Sequence, residues 1–165
     1  MKKVKVEEIA EELMEYETVS PVESPEVFQF LKGVLEEEGI SAEIKEINGV
    51  YNLVADIGSE SPSICLNGHL DVVEPEGQWS VTSPFEPKIE DGKLYGRGAA
   101  DMKAAFAAQV KAFLDLHRDS EFNNRVVLMA VGDEEIGGFN GSNALVEKYY
   151  SEGEGFDYSI VGEAT

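Results

Sequence analysis

Three apolar runs in this chain each lead to a side chain that can ligate a metal. Residues 64–66 run into His69 and Asp71, residues 126–131 into Asp133-Glu134-Glu135, and residues 158–161 into Glu163. Asp101 joins them behind the glycine-rich turn Gly96-Arg97-Gly98-Ala99-Ala100. One imidazole and several carboxylates suit a divalent cation such as zinc, cobalt or manganese. Such an ion polarises a carbonyl and acidifies water. His69 and Asp71 lie two apart at a strand end and face the same way. A metal-bound histidine donates its other ring N–H to a carboxylate or carbonyl, and Asp71 is placed to accept it. Taken alone, His-x-Asp serves equally as a cap. Glu134 and Glu135 are adjacent, so their side chains diverge, leaving one to bind metal while the other handles a proton. Taken alone, that pair also reads as an acidic loop.

Ligands from four separate segments need a frame that brings strand ends together. Residues 6–17 carry Val6, Ile9, Leu13 and Met14 at helical spacing, with acids on the other face. Ser24-Pro25-Glu26 marks a second helix start, with a capping hydroxyl and proline in the first turn. That helix runs through Val27, Leu31, Val34 and Leu35 to Gly39. Strands follow at 42–47 and 50–57 around the hairpin turn Asn48-Gly49. Residues 64–66 form a third strand, and 74–98 a Pro- and Gly-rich loop with a short hairpin. Asp101 opens a helix over 101–118, followed by a strand at 125–131, a helix at 141–150 and a strand at 158–161. The pattern predicts an α/β fold, a three-layer sandwich with a mostly parallel sheet plus one antiparallel hairpin. In such sheets ligands bind beyond the carboxyl ends of the strands.

Composition removes several alternatives. At 165 residues and 42% hydrophobic content the chain suits one domain and is not a disordered polyelectrolyte. No apolar stretch approaches the roughly 20 residues of a membrane helix. Met1-Lys2-Lys3-Val4-Lys5 leads into acids, so no secretory signal is expected. Cys65 is the single cysteine, read as a buried, inert thiol in a reducing cytoplasm. Thirty-three acids against 13 bases give −20, a surface that repels nucleic acid and suits a salt-rich cytoplasm. The third glycine of a dinucleotide fingerprint is missing after Gly96-Arg97-Gly98, and no Gly-Lys-Ser/Thr occurs, which excludes a nucleotide loop. His117 lies 16 residues from Asp101, roughly 24 Å along a helix, and reads as a helix-end or surface residue.

In order along the chain, Gly68-His69-Leu70-Asp71-Val72-Val73, Gln78-Trp79, Pro84-Phe85, Asp91-Gly92-Lys93-Leu94-Tyr95-Gly96-Arg97-Gly98, Asp101-Met102-Lys103, Asp133-Glu134-Glu135-Ile136-Gly137-Gly138 and Gly162-Glu163-Ala164-Thr165 resemble the zinc amidohydrolases. That family includes acetylornithine deacetylase, succinyl-diaminopimelate desuccinylase, aminoacylase and related dipeptidases. The resemblance implies a zinc-exopeptidase-like fold and hydrolysis of small N-acyl amino acids or dipeptides through a metal-activated water. It implies that His69 and Glu163 hold one zinc, Glu135 a second, and that Asp101 bridges both. Asp71 would orient His69, and Glu134 would be the general base. A cis peptide bond at Asp101-Met102 is also implied.

Members of this family continue past the Gly-Glu-Pro-Thr-like segment into a lid and dimerisation domain, then return to supply another histidine ligand. On that comparison residues 1–165 correspond to a single truncated catalytic domain, with Ala164 where relatives often have proline. The expected consequences are one site with three protein ligands (His69, Asp101, Glu163), a second with only Asp101 and Glu135, and an open sheet edge. Such an edge calls for a homodimer or a separately encoded partner chain. The alternative expectation is a metal-binding assembly subunit without useful turnover.

Overall fold

The computed structural model describes residues 5–163; the basic start Met1-Lys2-Lys3-Val4 and the final Ala164-Thr165 lie outside the described residues. Helix α1 spans Val6–Glu15 and buries Ile9, Ala10, Leu13 and Met14, the apolar stripe expected from the 3.6-residue period. Helix α2, Glu26–Glu37, buries Val27, Phe28, Leu31 and Leu35 and gives way to Gly39 at φ 81°. Its start differs from the expectation. Pro25 stands at the cap rather than in the first turn, and the Ser24 hydroxyl donates to the Glu26 carboxylate instead of accepting from backbone amides. The neighbouring charged acceptor makes the stronger bond.

Five strands form one sheet in the order β1-β2-β6-β3-β7: β1 Ala42–Ile47, β2 Val50–Ile57, β3 Glu60–His69, β6 Asn124–Val131 and β7 Tyr158–Val161. β1 and β2 form the antiparallel hairpin, with Ile47 opposite Val50, and β2 also pairs antiparallel with β6. β3 pairs parallel with both β6 and β7. Four strands therefore run one way and only β2 opposes them, as the sequence pattern predicts. A separate two-stranded hairpin, β4 Lys88–Glu90 with β5 Lys93–Tyr95, lies in the expected loop.

Alternate residues of the central strands feed two cores. Leu53, Leu66, Val126 and Leu128 pack with α1, α2 and the long helix α3, Lys103–Arg118. On the opposite face Val54, Cys65, Val127 and Met129 pack with Leu145 of α4, Ala144–Ser151. These are the three layers. β3 is much longer than its apolar run, because polar residues 60–63 continue the strand towards the protein's edge and Asn67-Gly68-His69 continue it towards the site. Gly68 is required there: a Cβ would lie 2.5 Å from the Phe106 ring and 2.8 Å from Met102 Cε, so only glycine lets α3 pack this close.

Two helix starts shift. Asp101 does not open α3, which begins at Lys103 after a cis Asp101-Met102 bond, the isomer that the resemblance implies. The helix expected at 141–150 begins as an irregular turn over Phe139–Asn143, broken by non-helical Gly141, before α4 proper. His117 is exposed in the last turn of α3. No helix among the described residues is long and apolar enough to cross a membrane. Cys65 is buried, and burial pushes its thiol up to about 12.

Phe113 is fully buried on α3. Phe113→Ala is expected to destabilise the chain by about 3–5 kcal/mol through lost contacts and the cavity left behind. Urea unfolding followed by circular dichroism checks this as a lowered midpoint.

Candidate metal centre

The parallel trio β6-β3-β7 delivers three chain segments to one place. His69 ends β3, opposite Val131 of β6. Glu134 and Glu135 sit in the 3-10 turn Glu134–Ile136 beyond β6, and Glu163 follows β7 by two residues. Asp101 enters from the turn before α3. All therefore meet at the carboxyl ends of the parallel strands, where a sheet of this kind leaves a crevice.

His69 is the buried centre of the group. Its Nδ1 lies 2.8 Å from the Asp71 backbone carbonyl and 3.5 Å from the Asp71 carboxylate. The shorter contact fixes Nδ1 as the protonated nitrogen and turns Nε2 outwards. Around Nε2 stand Asp101 at 3.0 Å, Glu163 at 3.3 Å and Glu134 at 3.8 Å. Ligand atoms of His69, Asp101 and Glu135 lie within 4.8 Å of one another, as do those of His69, Glu134 and Glu163. All six candidate residues thus come together. By distance alone Glu135 groups with His69 and Asp101, while Glu134 groups with Glu163.

Asp71 is fully buried and held on its far side. Its Oδ2 accepts from the Ser20 hydroxyl at 2.7 Å and from the Glu135 backbone N–H at 3.0 Å. Burial pushes the Asp71 carboxyl up, but hydrogen bonds from His69, Ser20 and Glu135 outweigh it and hold it below the ordinary value. Burial likewise pulls His69 down, but the Asp71 carboxylate and the Glu163 charge reverse this and lift the imidazole to about 9. Glu135 and Glu163 are raised, first by burial and then, among other charges, by Asp101. No Lys or Arg among the described residues pairs with Asp101, Glu134, Glu135 or Glu163. Carboxylates crowded around one imidazole nitrogen without a basic partner fit a divalent cation.

Sequence reasoning gave no individual role to four residues around the site. Ser20 supports Asp71. Asp133, buried, accepts from the Asn140 backbone N–H at 2.7 Å through Oδ2, and its carbonyl accepts from Gly138 at 2.8 Å, so it shapes the turn that carries Glu134 and Glu135. Asn52, also buried, donates to the Asn140 carbonyl and accepts from the Gly132 N–H. Lys103, fully buried, donates to the Leu13 and Tyr16 carbonyls. Of these, Asp133 and Lys103 lie inside motif blocks and were visible without a role. Ser20 and Asn52 carry no sequence signal, since only the fold brings them near.

An imidazole and carboxylates converging at the open end of a parallel sheet mark a candidate metal site on an α/β domain. Residues 65–165 match peptidase family M20/M25/M40, and the chain belongs to that family. It is 36% identical over 163 residues to succinyl-diaminopimelate desuccinylase of Rickettsia felis, covering 93% of this chain and 42% of the relative. Among solved structures it resembles an M20 family metallo-carboxypeptidase from Sulfolobus solfataricus, with a TM-score of 0.83 and 26% identity, over 98% of this chain and 38% of that one. It also resembles human carnosine dipeptidase 1, with a TM-score of 0.70 and 26% identity, over 94% and 37%. The chain spans about two-fifths of the length of these proteins.

The raised His69 value has a definite sign. An imidazole lifted from 6.5 to about 9 contributes stability that is fully present below pH 6.5 and lost as pH rises through about 9. With chelator present, the stability difference between wild type and His69→Asn is expected to be largest below pH 6.5 and to shrink up to pH 9. Urea unfolding at a series of pH values measures it.

Proposed function

We propose that this chain carries the metal-binding part of a hydrolase that cleaves the amide bond of small N-acyl amino acids or short peptides. The observation behind this reading is the convergence of Asp101, Glu134 and Glu163 within 3.8 Å of His69 Nε2. Family membership supports it. The relatives' names, a desuccinylase, a metallo-carboxypeptidase and a dipeptidase, have amide hydrolysis in common.

In this proposal His69 and Glu163 would hold one ion, Glu135 would hold a second, and Asp101 would serve both. Zinc suits the donors, and cobalt or manganese would be accepted by the same set. When bound, the metal polarises the amide carbonyl and lowers the pKa of water towards roughly 7. The protein's own groups do the rest. Asp71 keeps Nδ1 of His69 protonated and Nε2 free to ligate. Glu134, about half exposed and next to a groove of about 700 Å³ bordered by Asn67, Ser142, Val146 and Glu163, takes the proton of the attacking water and returns it to the departing amine. The groove gives the substrate room beside that carboxylate.

A second reading has one observation in its favour. β7 pairs only with β3 among the described residues, and Tyr158, Ile160 and Val161 are 63%, 53% and 54% exposed. An apolar strand open along its edge favours association with further polypeptide. That polypeptide would be a second copy or a partner chain, and turnover would depend on it. A monomeric mass in sedimentation at micromolar concentration, with no partner present, would count against this reading.

Glu134→Gln is expected to keep its metal content and lose activity by about 10²–10⁴-fold, the usual contribution of a positioned general base. Metal analysis together with hydrolysis of a panel of N-acyl amino acids and dipeptides checks both. Equal hydrolysis by wild type and variant would remove Glu134 from the mechanism.

A further inference from the structure

Lys103 is fully buried and occupies the first position of α3. Neither placement favours stability. A buried ammonium loses its hydration, and a cation at a helix amino terminus meets the positive end of the dipole. Its Nζ donates to two main-chain carbonyls across the protein, Leu13 at 2.8 Å and Tyr16 at 2.9 Å. Those carbonyls close α1, whose last turn has no basic residue of its own. Gly98 seals the other side, where an added Cβ would come within 2.9 Å of Lys103 Cδ. The side chain is therefore clamped along its whole length between the end of α1 and the glycine-rich turn. Asp101 stands two residues before it, with its carboxylate 3.0 Å from His69 Nε2.

We propose that Lys103 is a positioning residue of the metal centre: by tying the start of α3 to the end of α1, it holds Asp101 at the distance from His69 that a shared ion requires. The inference rests on the reading that His69 and Asp101 bind metal. Lys103 touches neither metal nor substrate and acts through the backbone of its own turn. The sign of its effect separates this role from a simple electrostatic one. A nearby positive charge repels a metal cation, so loss of the charge alone tightens metal binding. Loss of position loosens it.

Calorimetric titration of Zn²⁺ into chelator-treated protein tests the proposal. Lys103→Met is expected to bind about 10–100-fold more weakly than wild type, the range seen when a group supporting a metal ligand is removed. Lys103→Arg, which keeps the charge and the donors, is expected to recover most of that loss. Phe113→Ala, destabilised but distant in role, is expected to keep wild-type affinity, so a purely structural effect is recognised. Unchanged or tighter binding by folded Lys103→Met overturns the inference while leaving metal binding intact. A wild-type chain that takes up no Zn²⁺ overturns the metal reading and this inference with it. Should Lys103→Met fail to fold, hydrogen exchange on the wild type decides. Saturating Zn²⁺ must slow exchange in the last turn of α1 more than in α2, and equal protection of the two helices overturns the role.

Discussion

Like charges forced together at the ends of parallel strands are the constraint around which the rest of this structure is arranged. Asp101, the adjacent pair Glu134 and Glu135, and Glu163 come from three points in the chain, and each would be better solvated apart. The pairing of β6 and β7 on either side of β3 brings their carboxyl ends into one crevice. The buried imidazole of His69 is the one side chain among them that takes up part of the negative charge. Burial opposes its charge, but Asp71 foremost and then Glu163 lift it to about 9.

The supporting residues make sense as responses to this constraint. Asp71 is buried, but two donors, the Ser20 hydroxyl and the Glu135 backbone N–H, bond its Oδ2, and the His69 ring stands 3.5 Å from its Oδ1. One side chain therefore links β3, the segment after α1 and the turn beyond β6. Asp133 and Asn52 hold that same turn from beneath through bonds to the Asn140 backbone. Asp133 does so within its own turn and Asn52 from a distant strand, and buried polar groups of this kind are costly unless satisfied.

The two edges of the sheet contrast. β1 is folded back against β2 and shielded in part by α2, which packs on the same side. β7 presents Tyr158, Ile160 and Val161 to solvent, although Gln109 of α3 reaches across to the Ile160 carbonyl at 3.1 Å. Parallel strands are ordinarily covered on both faces. β7 leads to Glu163, so this open edge borders the candidate metal centre.

Much of this was legible in the residues themselves. Apolar periodicity located helices α1 to α4 and the buried parts of β1, β2, β3 and β6, because burial imposes periods of 3.6 and 2 directly on the sequence; β7 showed as an apolar run although its residues are exposed. Asn48-Gly49 marked the hairpin, since its turn needs positive φ at both positions. His69, Asp71, Glu134, Glu135 and Glu163 stood out because ligand-type side chains followed apolar runs, and Asp101 because it followed a glycine-rich turn. Helix starts were less legible. Ser24 reads as a cap from its type, yet a neighbouring carboxylate took its hydroxyl. Asp101 reads as a first helical residue, yet the helix waits for Lys103. Tertiary structure alone decided what surrounds the ligands: Ser20 on Asp71, Asn52 on the Gly132 turn, and Lys103 on the end of α1. These contacts join residues between 51 and 90 positions apart. Local pattern carries no record of which distant backbone atom a buried donor will meet, because the strand order and packing of the whole sheet determine it.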